Sequence, residues 1–372
     1  MDLFIFGTLL HVPLLEAVSG DADVSKRLVW AARPGYSVSR VSGQVFPMIH
    51  PATNGVAEGI IVQGLDDTAL ERLDYYEKAF GHDRVEFVVL DAYEQSRTVT
   101  AYLPEPDRWS TAELWDRDGW IARAGELTTM TAIEAMSVMD RMAAPEMGAQ
   151  YPAMMARAAS RQRAAKDTGT GGLGRADVHV LHASKPYAGF FNVEELDLSF
   201  RRFDGSMSDP VNRAVLVGVD CAILLPYDPV RDRVMVVEQF RPGAYLRGDP
   251  NPWTLEPIAG RIDPGEEPED AARREAHEEA GVTVTDLHCV SAAYPSPGST
   301  TELFYTYIGI ADLPDGANGT GGLVAEAEDI RSHIMTWAEF DAALNAGKFR
   351  LMPLLVAGLW LARNRDRLRA SA

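Results

Sequence analysis

A basic and then glycine-rich stretch near the middle of the chain is the feature that most limits the possible folds. Residues 161–175 read RQRAAKDTGTGGLGR, a composition typical of a flexible connector between domains. Its glycines also fit the G-x-G-x-x-G dinucleotide pattern, but no strand signal precedes them and no helix signal follows, as that fingerprint requires. A chain of 372 residues is long enough for two domains of ordinary size. We therefore predict a first domain at 1–160, a linker at 161–176 and a second domain at 177–372.

Charge and cysteine content exclude several classes of protein. Asp and Glu outnumber Lys and Arg by 54 to 35, a net charge of −19, whereas a protein that binds nucleic acid needs a basic face. The same excess of carboxylates favours a cation site. Two cysteines, Cys221 and Cys289, are too few for a disulfide framework and lack C-x-x-C spacing, which predicts a cytoplasmic protein. No apolar run approaches the roughly 20 residues that span a bilayer, so we predict no membrane segment.

Short runs of apolar and β-branched residues, bounded by Gly, Pro and Asp, predict strands in both halves of the chain. These runs are Leu3–Phe6, Ile60–Val62, Val85–Leu90, Val99–Tyr102, Ala214–Val219, Ala222–Leu225, Val234–Val237 and Phe304–Ile310. Helical patterns occupy about 113–163, where Pro145 and Pro152 interrupt a methionine-rich core stripe, and then 268–280 and 338–369. The mixture predicts an α+β fold class.

The predicted helix at 268–280 carries an unusual cluster of carboxylates. It lies in the segment GRIDPGEEPEDAARREAHEEAGV, with Pro268 at its start and Gly281 at its end. Glu275, Glu278 and Glu279 have i, i+3 and i+4 spacing, so they share one face and repel one another. By helix geometry alone, a solvated acidic surface and a site for hard divalent cations are equally favoured.

The spacing of this segment matches the Nudix box, G-x5-E-x7-R-E-U-x-E-E-x-G-U, at every fixed position. The matching residues are Gly260, Glu266, Arg274, Glu275, Glu278, Glu279 and Gly281. Residues of about 177 to 372 therefore resemble a Nudix hydrolase. The resemblance implies the α/β/α sandwich of that family. It also implies hydrolysis of a nucleoside diphosphate linked to another group, with Mg²⁺ as cofactor and Mn²⁺ as a possible substitute.

The same resemblance implies a role for each residue of the box. The implied metal ligands are the carboxylates of Glu275, Glu278 and Glu279 and the backbone carbonyl of Ala259. Of these, Glu279 is also counted among the catalytic residues. The residues implied to brace the loop against the helix are Gly260, Glu266, Arg274 and Gly281.

Features outside the box resemble the ADP-ribose diphosphatase branch of the family. Pro297 lies sixteen residues after Gly281, and the runs VVEQFRPGA and WTLEPIAG are typical of that branch. In these runs, Arg241 has the planar donor fork that suits a diphosphate, and Glu256 is predicted to accept a hydrogen bond from an adenine amine or a ribose hydroxyl. Arg213 is assigned to the substrate with them. The implied products are AMP and a sugar phosphate.

A glycine-rich acidic segment, GTGGLVAEAEDIRSH at residues 319–333, offers a general base. A carboxylate on a mobile loop can move toward the attacking water once substrate fills the site, and relatives have a catalytic glutamate in a similar loop. We assign the base to Glu326, with Glu328 as the runner-up. Without the Nudix box, a solvated turn would be preferred.

The branch resembled here also implies an assembly. Its active unit is a homodimer in which N-terminal strands, near Phe200–Arg202 in this chain, cross between subunits. We therefore predict a homodimer whose other partner is a small nucleoside diphosphate, with neither nucleic acid nor membrane as a partner.

The first domain resembles the γ-glutamylcyclotransferase-like (AIG2-like) family. The resemblance is carried by FIFGTL at Phe4–Leu9 and LDYYEKAF at Leu73–Phe80, and it implies a small β-barrel with helices. In active relatives the loop corresponding to Gly7, Thr8 and Leu9 holds a substrate carboxylate, and the residue corresponding to Glu77 moves the proton.

Two departures from the cyclotransferase pattern lead us to expect an inactive first domain. Phe6 replaces the usual Tyr, and KAFG follows Glu77 where the family has G-x-x-Y. The alternative function is nevertheless a γ-glutamylcyclotransferase-type enzyme in which the Nudix half senses a ligand. The complete Nudix box favours hydrolysis over that alternative.

Overall fold

The chain divides into two compact units. The computed structural model describes residues 1–106, 108–167, 169, 171–323 and 328–371. Unit 1 comprises Met1–Lys166 and unit 2 comprises Asp167–Ala372. The division falls inside the segment predicted as a linker.

Unit 1 contains a closed β-barrel. Its strands are β1 (Leu3–Ile5), β2 (Leu28–Val41), β3 (Pro47–Val62), β4 (His82–Asp91), β5 (Ser96–Pro104) and β6 (Thr111–Leu114). Five of them form a ring in the order β3-β1-β5-β4-β2, which pairing of β2 with β3 closes, while β6 adds to β2. Closure removes the free strand edges from the ring. The barrel predicted for the first domain is confirmed.

The helices of unit 1 are α1 (Val12–Ser19), α2 (Asp67–Ala79), α3 (Arg117–Trp120), α4 (Glu126–Met136) and α5 (Ala144–Ala165), with a π-helical turn at Ile121–Gly125. The side chain of Asp66 accepts the Ala69 N–H at 2.8 Å and caps α2. Pro145 lies in the first turn of α5, but Pro152 lies inside it, so the predicted interruption there is wrong. Met136 and Met142 are buried, as a core stripe requires.

Unit 2 contains a three-stranded sheet and a larger mixed sheet. The first consists of β7 (Val178–Ala188), β8 (Asn192–Phe200) and β9 (Val211–Val217). The second consists of β10 (Cys221–Asp228), β11 (Arg233–Phe240), β12 (Trp253–Glu256), β13 (Ile258–Arg261), β14 (Val284–Ala293), β15 (Phe304–Ala311), β16 (Thr320–Gly321) and β17 (Ile330–Thr336). Its main path runs β14-β15-β10-β11-β17-β16, with β12 paired to β11 and β13 to β10.

Helices cover both faces of the larger sheet. They are α6 (Pro242–Arg247), α7 (Pro268–Ala280), α8 (Trp337–Asn345) and α9 (Met352–Ala370). Alternating strand residues divide the core: Leu224 and Val237 lie with α7, whereas Leu225 and Val236 lie with α8 and α9. The predicted α+β class and α/β/α sandwich are confirmed.

The segment predicted as one helix at 338–369 forms two helices. Gly347 has a φ of +65°, a conformation suited to glycine, and it follows the end of α8. Pro353 then lies in the first turn of α9. Within the described ranges, no helix is both long and apolar enough to cross a membrane.

Candidate active site

The glutamate helix α7 is fixed at both ends by local sequence. Pro268 lies in its first turn, and Gly281, with a φ of +64°, ends it. The Val282 N–H returns to the Ala276 carbonyl at 3.0 Å, which closes the helix end. Small buried side chains let the helix lie close to the sheet; they are Ala271, Ala272 and Ala276.

Two carboxylates of α7 lie against β13. Glu279 is only 1% exposed, and its Oε2 accepts a long hydrogen bond of 3.4 Å from the Ala259 N–H. A Cβ atom on Gly260 would lie 1.8 Å from Oε1 of Glu275. A side chain at residue 260 would therefore displace the Glu275 carboxylate from this position.

Burial makes these two carboxylates difficult to ionise together. Burial, together with the charges of Glu275 and Glu328, raises the pKa of Glu279 to about 8. Burial also raises the pKa of Glu275 to about 7, while the neighbouring Arg274 opposes that rise. A further positive charge beside Glu279, in addition to that of Arg274, would reduce the repulsion between the Glu275 and Glu279 carboxylates.

Arg274 connects the loop before α7 with two of the helix glutamates. Its Nε and Nη2 each donate to a carboxylate oxygen of Glu266 at 2.9 Å. Its Nη1 donates to Glu275 at 2.6 Å and to Glu278 at 3.1 Å, and Nη2 also reaches the Arg261 carbonyl at 3.0 Å. Hydrogen bonds to Glu266 and the adjacent carboxylates hold the pKa of Arg274 well above its usual range.

The residues of this face fit a hard divalent cation in donor chemistry. Among the described residues, no three His, Cys, Asp or Glu side chains are arranged to hold a metal ion. In the described contacts, Arg274 occupies oxygens of Glu275 and Glu278, and Glu279 accepts a hydrogen bond from the Ala259 N–H. A buried carboxylate with one long hydrogen bond, beside other carboxylates and a backbone strand, supplies the oxygen ligands that such cations take.

The acidic loop is anchored to the end of α7. The Gly322 N–H donates to the Glu278 carbonyl at 3.2 Å, and a Cβ on Gly321 would lie 2.1 Å from the Glu279 carbonyl oxygen. Glu328 accepts the Leu323 N–H at 3.3 Å. Its charge raises the pKa of both Glu275 and Glu279, so Glu328 lies within electrostatic reach of the glutamate face. Glu326, the predicted base, lies outside the described residues.

Arg241 and Glu256 contact each other. Nε of Arg241 lies 2.8 Å and 3.0 Å from the two Glu256 oxygens, and Nη2 donates to Oε2 at 2.5 Å. Glu256 is 1% exposed, whereas the Arg241 side chain is 41% exposed. Glu256 lies three residues before Ala259, whose N–H donates to Glu279, and the charge of Arg241 slightly opposes the rise that burial causes in the pKa of Glu279.

Two predicted substrate residues lie away from these contacts. Pro297 is exposed in the loop between β14 and β15. Arg213 is exposed on β9, where its Nη1 donates to the Asn212 carbonyl at 2.8 Å. Within the described part of the chain, neither residue has a contact that links it to the glutamate face. Both assignments stay predictions.

Unit 1 has a separate cavity of its own. It has a volume of about 100 Å³, is open to solvent, and is lined in part by the loop Gly7–Leu9 and by Glu77. The Glu77 carboxylate lies 2.7 Å from Nδ1 of His82. Both side chains are largely buried. The cavity therefore combines one carboxylate and one imidazole.

Aromatic side chains form much of the wall of this cavity. The hydroxyls of Tyr76 and Tyr151 lie 2.8 Å apart, and the ring of Phe80 stands edge-on to Tyr151 with centroids 5.0 Å apart. Phe46 and Trp120 also line the space. The wall is thus suited to the apolar part of a small ligand.

Comparisons with known proteins agree with the geometry of unit 2. Residues 218–355 match the model of the NUDIX domain. The ADP-ribose pyrophosphatase of Escherichia coli (strain K12) is 39% identical over 189 residues, covering 51% of this chain and 90% of that protein. The ADP-ribose pyrophosphatase of Haemophilus influenzae is 35% identical over 198 residues, covering 52% and 90%. The chain belongs to the Nudix family. Nudix hydrolases generally use divalent metal cations.

Further similarities concern other nucleotide sugars and unit 1. The GDP-mannose pyrophosphatase of Cronobacter sakazakii is 31% identical over 161 residues, covering 43% of this Nudix protein and 82% of the relative. A solved structure titled "Crystal structure of ADP compounds hydrolase" is 20% identical with a TM-score of 0.39, covering 52% of this chain and 98% of that one. Residues 3–122 match the model "Gamma-glutamyl cyclotransferase, AIG2-like", so the predicted resemblance of the first domain is confirmed.

The structure adds residues that sequence patterns did not single out in this Nudix chain. The Thr254 hydroxyl donates to Glu256, and His82 contacts Glu77. Thr254 could have been found from its i, i+2 spacing to Glu256 on one strand, which places both on the same face. His82 gives no comparable signal, because its contact depends on how the chain turns between α2 and β4.

Proposed function

We propose that this Nudix protein hydrolyses the diphosphate of an ADP-sugar, with ADP-ribose as substrate and AMP and ribose 5-phosphate as products. The observation that carries the proposal is the complete Nudix box, folded as a loop and helix with Glu275 and Glu279 against β13. The names of the relatives that match across this unit support the adenine nucleotide.

We propose Mg²⁺ as the cofactor, with Mn²⁺ as a substitute. Glu275, Glu278, Glu279 and the carbonyl of Ala259 would hold it. When bound, the cation supplies positive charge against the diphosphate and lowers the pKa of a water molecule. When the cation replaces Arg274 at Glu275 and Glu278, the hydrogen bonds between Arg274 and Glu266 would still hold the loop against the helix.

The remaining residues are proposed to bind the substrate and move the proton. Arg241 lies beside the glutamate face with its guanidinium half-exposed, a position suited to a phosphate oxygen. Glu326 is proposed as the base that accepts the proton of the attacking water, and Glu328 is the runner-up. Pro297 and Arg213 stay proposed substrate residues.

A substrate panel tests the proposal. The full chain is incubated with ADP-ribose, another ADP-sugar and GDP-mannose in Mg²⁺, and nucleoside monophosphates are separated by chromatography. We expect AMP from ADP-ribose, loss of activity in EDTA and its return with Mg²⁺. Absence of any monophosphate would overturn hydrolysis, and faster release of GMP would overturn the preference for adenine.

A matched pair of variants ties the reaction to the glutamate face. Glu278→Gln removes a proposed ligand and should abolish AMP release. Glu267→Gln removes an exposed carboxylate in the preceding loop and should leave it unchanged. Equal activity in both variants would contradict the assignment.

Cyclotransferase chemistry in unit 1 is the second candidate function. The observation that favours it is the cavity that places Glu77 with the loop Gly7–Leu9. Release of 5-oxoproline from γ-glutamyl peptides is the assay. The departures at Phe6 and after Glu77 lead us to expect no product, and product that disappears in Glu77→Gln would establish the activity.

We propose that the protein acts as a homodimer. The three-stranded sheet β7–β9 and its turn expose several large apolar side chains, among them Val180, Leu181, Tyr187 and Phe190. Such a patch is a common sign of an interaction surface. Light scattering coupled to size exclusion should give twice the mass of 40.7 kDa. A monomer at micromolar concentration would contradict it.

We also propose a cytoplasmic location. Cys221 and Cys289 are both free thiols, and burial raises the pKa of Cys221 to about 12, which keeps this thiol protonated. Free cysteines are typical of proteins in a reducing compartment such as the cytoplasm. Fractionation of the producing cells tests this.

A further inference from the structure

The contact between Arg241 and Glu256 indicates a role for Glu256 that differs from the nucleoside contact predicted from the sequence. We propose that Glu256 is a positioning residue that orients Arg241 toward the diphosphate, and that it does not contact adenine or ribose. This inference rests on the proposed function. It concerns how the substrate is held, whichever ADP-sugar is preferred.

Hydrogen bonds already occupy the Glu256 carboxylate. Oε1 receives Nε of Arg241 and the Thr254 hydroxyl, and Oε2 receives Nη2 and Nε of the same arginine. At 1% exposure, no solvent-facing edge is left for a nucleoside. A buried carboxylate with this set of donors is a fixed anchor.

The strand register holds the anchor in place. In the pairing of β11 with β12, Val237 lies opposite Glu256. Arg241 follows the end of β11, and its N–H donates to the Pro252 carbonyl at 2.9 Å. The backbones of both partners are therefore fixed before any ligand arrives.

The geometry leaves one edge of the guanidinium for substrate. Nε and Nη2 are directed to Glu256, whereas Nη1 has no hydrogen-bond partner among the residues that the structure describes. Burial lowers the pKa of Arg241, but hydrogen bonding and charge pairing with Glu256 outweigh it, and the charges of Glu279 and Glu328 add to the rise. Glu256, which holds the guanidinium, lies three residues before Ala259, whose N–H donates to Glu279. Arg241 is therefore held on the strand segment that carries the glutamate face. An arginine fixed on one edge and free on the other can meet a phosphate oxygen without reorientation.

Kinetics of single and double variants test the inference. We expect Glu256→Gln and Arg241→Ala each to raise KM for ADP-ribose about 10-fold to 100-fold, with kcat changed much less, because the contact is made in the ground state as well as in the transition state. Glu256→Gln in the Arg241→Ala background should raise KM no further. Additive effects, or a Glu256→Gln enzyme with unchanged KM, would overturn the positioning role.

Chemical rescue separates positioning from a general structural role. Millimolar guanidinium ion should restore part of the affinity of Arg241→Ala while Glu256 is present to hold the ion, and it should fail in the double variant. Equal rescue of both would overturn the inference. The control is Arg247→Ala, an exposed arginine of α6 paired with Asp249, which should keep the KM of the unmodified chain.

One further variant keeps the test interpretable. If Glu256→Gln does not fold, Thr254→Val removes a donor to Glu256 while both charges remain, and it should raise KM with a smaller factor. An unchanged KM in Thr254→Val would then count against the role. Failure of the unmodified chain to release AMP would refute the proposed function instead, since every comparison here requires wild-type turnover.

Discussion

Replacement of Glu279 by glutamine should separate cation binding from folding stability. Glu279 is 1% exposed, lies near Glu275 and Glu328, and receives a single long hydrogen bond from Ala259 among the described contacts. A neutral glutamine of similar shape removes the charge without leaving a cavity. We expect Glu279→Gln to abolish AMP release and yet to stabilise the metal-free protein at high pH.

The size of this effect follows from the pKa of Glu279. Burial raises it from 4.5 to about 8, and each pKa unit corresponds to about 1.4 kcal/mol, so ionising Glu279 costs the folded state at most about 5 kcal/mol. Between pH 4.5 and 8 the folded state binds more protons than the unfolded state. Stability from this group is therefore fully present below pH 4.5 and is lost as the pH rises through 8. Glu275, with a pKa of about 7, acts in the same direction.

Thermal unfolding in EDTA from pH 5 to pH 9 measures the difference. Glu279→Gln should match the unmodified chain near pH 5 and exceed its Tm by about 5–10 °C at pH 9, as a few kcal/mol implies for a unit of this size. Added Mg²⁺ should raise the Tm of the unmodified chain but not that of Glu279→Gln. Glu267→Gln, an exposed carboxylate, should follow the unmodified chain throughout. A glutamine variant less stable at pH 9, or one that hydrolyses ADP-ribose normally, would refute the reasoning.

Three other substitutions have defined outcomes. Gly260→Ala should lose AMP release while unit 1 stays folded by circular dichroism, because the new Cβ would meet Glu275 at 1.8 Å; normal turnover would contradict the close approach. Glu326→Gln should lower kcat about 10²-fold to 10⁴-fold with little change in KM; an unchanged kcat in this variant would assign the base to Glu328 instead. Glu77→Gln should leave ADP-ribose hydrolysis unchanged, because its cavity is lined by residues of unit 1; a severe loss would indicate that both units contribute to catalysis.

The glutamate helix is the part of the site that the sequence predicts best, because its signals are local. The predicted bounds 268–280 are those of α7, with Pro268 in the first turn and Gly281 in the left-handed conformation after its end. The spacing of Glu275 and Glu279 places both on one face regardless of the rest of the fold. Local geometry could not show how Arg274 shares its donors among three carboxylates.

The strand predicted within β3 is far too short, and no strand is predicted within β2 or β6. The sequence pattern predicts a strand only at Ile60–Val62, whereas β3 extends over Pro47–Val62. Pro51 and Gly55 indicate turns in the sequence, yet in the structure they lie in a long hairpin with β2, which has a register irregularity between Pro34 and Tyr36. Pairing over such a distance lets a strand tolerate residues that local propensity rejects.

The role of Glu256 shows why a charged site residue cannot be assigned to a ligand from sequence alone. The sequence predicts that this carboxylate contacts adenine or ribose, because WTLEPIAG does not indicate how deeply the side chain is buried. Pairing of β11 with β12 buries it, and a buried carboxylate must be compensated within the protein before any substrate binds. Arg241 is the cation that the register brings within reach. Arg241 and Thr254 donate to this carboxylate, which is why we propose that Glu256 positions the arginine and that the arginine's Nη1 meets the substrate.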